Sequence, residues 1–343
     1  MLVAGGLAAM APLACSDQPQ DRARGNSGDP GKATAKHPSG PPTDDPPGTL
    51  TDDPTDDPPL TLWLAGDVHF GQQTDDLLAP IAAATAGAIG IVNLEGPVGM
   101  GESTGARLVN TADALPVLVA HGVAVASVRN NHMNDLGDQG VRHTRAALTR
   151  AGIQPADADH PGEPALAVIE RAGLSLAVLA HDLSPVREQE ALGDMRPLMQ
   201  QALAAARARA DLVAVSLHIT GPPSYLPPKE LIEAVDLAIA GGATVVAAHG
   251  SHAPARVERR GTAIIAWGLG NLLFNCTCTR EIDGLVVRVE LDARGTRRAQ
   301  VIPVDAGLLG QPARPAEAAG LTLDLLRSLG SELTERAAAH AFF

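Results

Sequence analysis

The sequence predicts a two-sheet α/β sandwich that carries a polar site at one end of its sheets. Short apolar runs bounded by Gly, Pro and polar residues alternate with amphipathic stretches, as buried strands alternate with helices. These runs end, one after another, in Asp, Glu, Asn or His, and open α/β sheets place ligands at the carboxyl ends of their strands. A late β-like pair, Leu285 to Leu291 and Ala299 to Val304, completes the pattern.

With 343 residues the chain can hold one large domain and a tail, or two modest domains. Aromatic residues make up only 2%, so Ala, Leu, Val and Ile must form the core. The formal net charge of -13 argues against nucleic acid or an anionic membrane surface as main partner. It leaves phosphate chemistry open, because metal ions can supply local positive charge. Three cysteines are too few for a disulfide framework.

Residues 1–15 are apolar, small and uncharged, too short to span a bilayer and similar to the core of an export signal. A basic n-region is missing, since the first basic residue is Arg22. Leu13-Ala14-Cys15 resembles the end of a lipoprotein signal, so export to the cell envelope with a lipid anchor on Cys15 is expected. A cleaved, soluble export signal is the alternative. Residues 16–60 are rich in Pro, Asp, Gly and Thr without apolar periodicity, and are expected to be a disordered linker. Such a chain extends by about 3 Å per residue and reaches on the order of 100 Å.

The globular part is expected over residues 61–304, with a helical tail over 305–343. Leu60 to Ala65 reads as a strand that delivers Asp67 and His69, two residues apart and so on one side. Ala88 to Val92 is a second strand and ends in Asn93-Leu94-Glu95-Gly96-Pro97. Thr111 to His121 reads as a helix, and Val123 to Val128 as a strand ending in Arg129-Asn130-Asn131-His132. Gly137 and Gly140 then lead into a helix from Val141 to Ala151, stopped by Gly152. Ala165 to Glu170 and Leu174 to Ala180 read as a hairpin with His181-Asp182 at its mouth. A helix from Met195 to Ala210 precedes a strand, Asp211 to Leu217, that delivers His218. The Pro-rich loop from Gly221 to Pro228 cannot be helix or central strand. A helix, Lys229 to Gly241, and a strand, Thr244 to Ala248, deliver His249-Gly250-Ser251-His252. Ala263 to Ala266 is a strand before Gly268-Leu269-Gly270-Asn271, and Ala316 to Ala341 is helical.

Any one of these polar residues could be a turn-capping or hydrogen-bonded strand end. Yet five of the eleven histidines follow β-like runs, which is hard to ascribe to chance. Asp67, His69, Glu95, Asn131, His218, His249 and His252 would furnish N and O ligands. That mixture suits Zn, Mn or Fe better than Ca, which prefers oxygen throughout.

The order Asp-x-His, carboxylate, Asn-His, His, His-x-x-His resembles the calcineurin-like metallophosphoesterases. It looks more like the bacterial capsule synthesis protein CapA family, associated with poly-γ-glutamate capsules. The matching stretches are Asn93-Leu94-Glu95-Gly96-Pro97, Asn130-Asn131-His132 with Asp135, Gly137 and Gly140, Ser216-Leu217-His218, and Gly268-Leu269-Gly270-Asn271. The resemblance implies a four-layer α/β/β/α sandwich with two mixed β-sheets and two divalent metal ions. Asp67, His69 and His252 would bind one ion, Asn131, His218 and His249 the other, and Glu95 would bridge them. His132 would protonate the leaving oxygen, and Asp135 would orient it; Arg129 could offset phosphate charge or be an ordinary strand-end residue. The chain departs from the family at His218-Ile219-Thr220-Gly221-Pro222, where a His-Trp-Gly-Glu-Tyr-like stretch is usual. It departs again at Ala248-His249-Gly250-Ser251-His252, which lacks the middle histidine of Gly-His-His-Pro-His.

The function expected is a metal-dependent phosphoesterase-like hydrolase in capsule or surface polymer synthesis. Its partners would be an anionic polymer or phosphoester substrate and membrane-bound capsule synthesis machinery, with no nucleic acid. A non-catalytic polymer-binding or export component with a structural metal is the main alternative, and a hydrolase of small peptides or amides is a third. Cys276 and Cys278 read as an oxidised structural pair, with two free thiols as the alternative.

Overall fold

A computed structural model describes residues 49–51, 59–101, 103, 107–157, 166–185, 192–193, 195–277, 279 and 281–340, with side chains beyond 330 and in 49–51 left aside. Cys15, Cys278, the export-like segment and most of the Pro/Asp-rich stretch lie outside the described residues.

The chain is a mixed α/β protein, as its sequence predicts. One sheet runs in the order β1 (Thr49–Thr51), β15 (Gly295–Asp305), β14 (Asp283–Asp292), β2 (Leu60–Ala65), β4 (Ile89–Asn93), β5 (Val123–Ser127) and β6 (Gln154–Ala156). A short strand β17 (Arg314–Pro315) also pairs with β15. The second sheet runs β11 (Val257–Arg260), β12 (Ala263–Ala266), β10 (Val245–His249), β9 (Leu212–His218), β8 (Leu174–Asp182) and β7 (Ala167–Arg171). Both are mixed: β2, β4, β5 and β6 are parallel neighbours in the first, and β12, β10, β9 and β8 in the second. Antiparallel strands border the parallel run on one side in the first sheet and on both sides in the second.

Among the described residues, three large hydrophobic cores and a small fourth one around Phe274 follow from this arrangement. Leu62, Leu64 and Val287 of the first sheet meet Val178, Ala214 and Ile264 of the second in one shared core. On the other face of the first sheet, Trp63, Val92 and Ala126 pack with Leu115 and Leu118 of α2 (Leu115–Ala120) and Leu148 of α3 (Gly137–Ala151). On the other face of the second, Leu179, Val215 and Val246 pack with Leu203 of α4 (Met195–Arg207) and Val235 of α5 (Lys229–Ala240). The parallel strands are buried on both faces and therefore carry continuous apolar runs rather than alternation. The short α1 (Ala82–Thr85) and the long α6 (Ala319–His340) complete the helices. No helix among the described residues is long and apolar enough to cross a membrane.

A third sheet was not foreseen: β16 (Gly307–Leu308), β13 (Asn271–Phe274) and β3 (Asp67–His69) pair in parallel. It takes Asp67 and His69 out of the expected loop and fixes them in a strand. Within the stretch read as a linker, Thr49–Thr51 adds to the first sheet beside β15, an edge pairing through the main chain that needs no apolar periodicity. Helix α3 starts at Gly137, earlier than the periodicity suggests, so Gly140 lies inside it, and it ends at Gly152 with φ 83° as expected.

Leu64 is buried between the two sheets. Leu64→Ala should cost about 2–5 kcal/mol, measured by urea unfolding, and leave metal content unchanged.

Candidate metal centre

Strand register brings the polar ends together. His249 of β10 pairs with His218 of β9, and His218 pairs with Asp182 of β8, so three parallel neighbours end in one row. From the other side, the amide of Glu95 donates to the Val68 carbonyl (2.8 Å), which fixes the carboxylate of Glu95 beside β3.

Asp67, Glu95 and His218 are all buried, and one ligand atom from each lies within 4.8 Å of the others. Asp67 is the most contacted. Its Oδ1 accepts from Asn93 Nδ2 at 3.0 Å and lies 3.1 Å from His249 Nδ1, while Oδ2 accepts from the Gly250 amide at 3.1 Å. His252 Nδ1 stands 3.5 Å from Oδ2 and 2.9 Å from Asn271 Oδ1. Glu95 lies 3.7 Å from His218 Nε2 and accepts from Asn93 Nδ2 at 3.3 Å. Among the described ion pairs, the partners of Asp67 and Glu95 are histidines, never Lys or Arg.

Not all seven expected ligands join this group. His69 is buried nearby, but its Nε2 is 3.0 Å from Ser103 Oγ, and its ring tilts on Phe274, which the His252 ring meets edge to face. His69 Nδ1 is buried with no hydrogen-bond partner in the structure. Asn131 is exposed; the buried neighbour is Asn130, which donates to Asn93 Oδ1 (3.1 Å) and the Leu94 carbonyl (2.9 Å) and accepts from the Gly96 amide. The geometry also groups the ligands differently from the sequence assignment. Asp67 clusters with Glu95 and His218, and His249 touches Asp67, because β3 faces the row of β9 and β10.

Three further residues shape the centre. Asn93 spans both carboxylates with one amide nitrogen, Asn271 positions His252, and Asp182 Oδ1 stands 3.6 Å from His218 Nδ1. All three stand in stretches that the sequence reading quotes, but only strand pairing shows what they touch. His132 Nδ1 is 2.8 Å from Asp135 Oδ2, and the Leu108 amide donates to that same oxygen, so the expected His–Asp pair is formed. Arg129 pairs with buried Asp157 at 3.0 Å, which favours its reading as a strand-end residue.

Burial alone would raise the Asp67 carboxyl, but the His249 hydrogen bond and the charges of His249, His252 and His218 outweigh it and hold the group well below the carboxylate range. For His218, burial pulls the other way too and is overcome by Asp182, Glu95 and Asp67, so its imidazolium is held up to about 10. His69 is pushed down to about 4, first by burial and then by the charge of His132, so it is a neutral imidazole near pH 7.

The donor set fits a divalent transition metal. Two buried carboxylates are faced by histidines and, among the described ion pairs, by no Lys or Arg, so a bound cation could take over the compensation of a charge that is costly to bury. Both His218 nitrogens lack hydrogen-bond partners, and the ligands are the borderline N and O donors that such ions select. Backbone shape is adapted to this crowding. Gly250 adopts φ 84°, and a Cβ there would come within 2.7 Å of His218 Nε2. His252 is itself left-handed at φ 51°, a strained state of the kind found at functional sites.

An α/β protein with a buried carboxylate and histidine centre at its strand ends is thus the class that fold and site define. The chain belongs to the bacterial capsule synthesis protein family PGA_cap, whose pattern matches residues 61–276. It is 27% identical over 198 residues to the capsule biosynthesis protein CapA of Bacillus anthracis, covering 54% of this chain and 48% of that protein. The chain therefore spans about half the length of that curated relative. Among solved structures, a hypothetical protein from Thermus thermophilus superposes with TM-score 0.50 at 14% identity, over 72% of this chain and 99% of its own. A Staphylococcus aureus protein with the provisional name 5'-nucleotidase gives TM-score 0.46 at 11% identity, over 78% and 58% of the two chains.

Two outcomes test this geometry. Gly250→Ala should displace His218 and lower Zn or Mn affinity at least tenfold, read by metal titration, with the fold kept by circular dichroism. In metal-free protein, the His218 contribution is complete below its ordinary value of 6.5 and is lost as pH rises towards about 10. The Asp67 contribution is present above its ordinary value of 3.8 and is lost as pH falls below it. The melting temperature of chelator-treated protein should therefore decline from pH 6.5 to 10, and His218→Asn should flatten that decline.

Proposed function

We propose that the chain is a metal-dependent phosphoesterase-like hydrolase serving capsule or surface polymer synthesis. The observation that carries this reading is a buried Asp67–Glu95–His218 centre, together with a partly exposed His132–Asp135 pair whose charge acts on His69. Family membership supplies the polymer context.

Asp67, Glu95 and His218, with His249 and His252 around Asp67, would hold divalent ions; His69 and Asn131 are the outer candidates. Ions bound there act as Lewis acids towards a phosphoryl group. The protein's own residues do the rest. Asn93, itself held by Asn130, keeps both carboxylates oriented. Asp135 is fixed by the Leu108 amide and accepts from His132 Nδ1, which leaves Nε2 to carry a proton to the departing oxygen. After that transfer the ring is neutral and still donates from Nδ1 to Asp135, so the pair is ready to be reprotonated.

Export and a Cys15 anchor belong to the same proposal. Cys276 is disulfide-bonded, and disulfides persist in oxidising compartments, which supports a location outside the cytoplasm. Membrane fractionation of a Cys15→Ala variant checks the anchor: the variant should leave the membrane fraction.

The experiment is metal analysis joined to a panel of phosphodiester, phosphomonoester and γ-glutamyl substrates. Ester hydrolysis should vanish with a chelator and return with Mn or Zn. Asp67→Asn should lose metal and activity together. His132→Ala should keep its metal and lose turnover by about 100-fold or more. Fully metal-loaded protein that cleaves none of the panel would leave the polymer-binding component with a structural metal as the better reading.

A further inference from the structure

Asp182, at the mouth of β8, lies outside the Asp67–Glu95–His218 group, yet its carboxylate faces one member of it. His218 is 1% exposed, so protein groups decide which of its ring nitrogens keeps a proton. A carboxylate stands on each side of the ring. Glu95 Oε1 is 3.7 Å from Nε2, and Asp182 Oδ1 is 3.6 Å from Nδ1. Both are ion-pair distances, longer than hydrogen bonds, and neither nitrogen has a hydrogen-bond partner in the structure. The two carboxylates are not equivalent. Glu95 belongs to the ligand group with Asp67, whereas Asp182 comes from the neighbouring strand and meets the other nitrogen.

The backbone builds this placement. Strands β8 and β9 run parallel, with Asp182 opposite His218. Just beyond, the Leu183 amide donates to the His218 carbonyl at 2.7 Å, and the Thr220 amide donates to Ser184 Oγ at 3.0 Å. The Ser184 amide donates at 3.0 Å to Asp182 Oδ1, the same oxygen that faces His218 Nδ1. An Asp that only closes its own turn would account for the Ser184 contact. It would not account for that oxygen being turned on a buried ring of the adjacent strand.

A neutral imidazole has one N–H and one lone pair, so the partner of one nitrogen sets the task of the other. A carboxylate that accepts from the second nitrogen of a metal-bound histidine fixes its tautomer and ring orientation. We propose that Asp182 is a positioning residue that keeps the proton on His218 Nδ1 and so assigns Nε2 to the metal ion. The inference rests on the metal centre of the proposed function and is independent of which bond is cleaved. It also specifies the proton that metal binding releases, the one on the Glu95 side of the ring.

Zn alone is the probe, added to the chelator-treated full chain carrying isotope-labelled histidine and followed by NMR. His218→Asn identifies the ring by the signals it removes. In Zn-loaded wild type, His218 should show a protonated Nδ1 and a metal-bound Nε2. Asp182→Asn should bind Zn about 10–100-fold more weakly, with its far-UV circular dichroism unchanged. A merely structural Asp182 would lower stability and leave the tautomer and the Zn affinity as they are. Zn on Nδ1 in the wild type, or wild-type Zn affinity after Asp182→Asn, would overturn the role. The wild-type spectrum decides the tautomer even where Asp182→Asn fails to fold. Failure of the metal reading would look different: wild type would take up no Zn, and the role would fall with the centre.

Discussion

The buried charge of Asp67 is the constraint on which the rest of the site depends. Its side chain has no solvent exposure, and four groups from three parts of the fold converge on it: Asn93, His249, the Gly250 amide and His252. A carboxylate so placed is tolerable only when it is paired and hydrogen-bonded. That requirement draws the ends of both large sheets towards the small third sheet that carries Asp67. It also restricts the backbone. The Asp67 amide donates to the Gly270 carbonyl at 3.0 Å, and Gly270 turns there at φ 67° against the backbone of Asp283 and Gly284. Gly250 performs the matching role beneath His218. A side chain at Gly250 would collide with His218 itself, and one at Gly270 with the backbone of Asp283 and Gly284.

Neutralising that charge with imidazoles rather than with Lys or Arg has a functional consequence. A guanidinium would pair with a carboxylate permanently, whereas an imidazole can give up its proton and offer a lone pair. The same contacts that stabilise the centre without metal can therefore become ligands when a cation arrives. A metal ion bound there would displace protons, above all from His218, and folding and metal binding would be linked through one set of groups. Asp182 belongs to this arrangement because it holds the His218 ring from the side away from Glu95. The three strand ends reach one row only because β8, β9 and β10 are parallel and in register.

Much of this was legible in the sequence where burial leaves a continuous apolar run. Leu60–Ala65 and Ala263–Ala266 match the expected strands residue for residue, since each is apolar and sharply bounded by Gly, Trp or polar residues. The strand holding Asp67 and His69 was not legible. It is three residues long and two of them are polar, so no period can announce it, and only pairing with Asn271–Phe274 makes it a strand. Val257–Arg260 is hidden for a similar reason: it is a half-buried, charged edge. Within the site, residue types were readable but contacts were not. Asn130 and Asn131 are chemically identical neighbours, and which of them turns inward is decided by Asn93 and Leu94 on another strand. Asp182 lies next to His181 in the chain, yet its partner is His218, far along the sequence on the neighbouring strand.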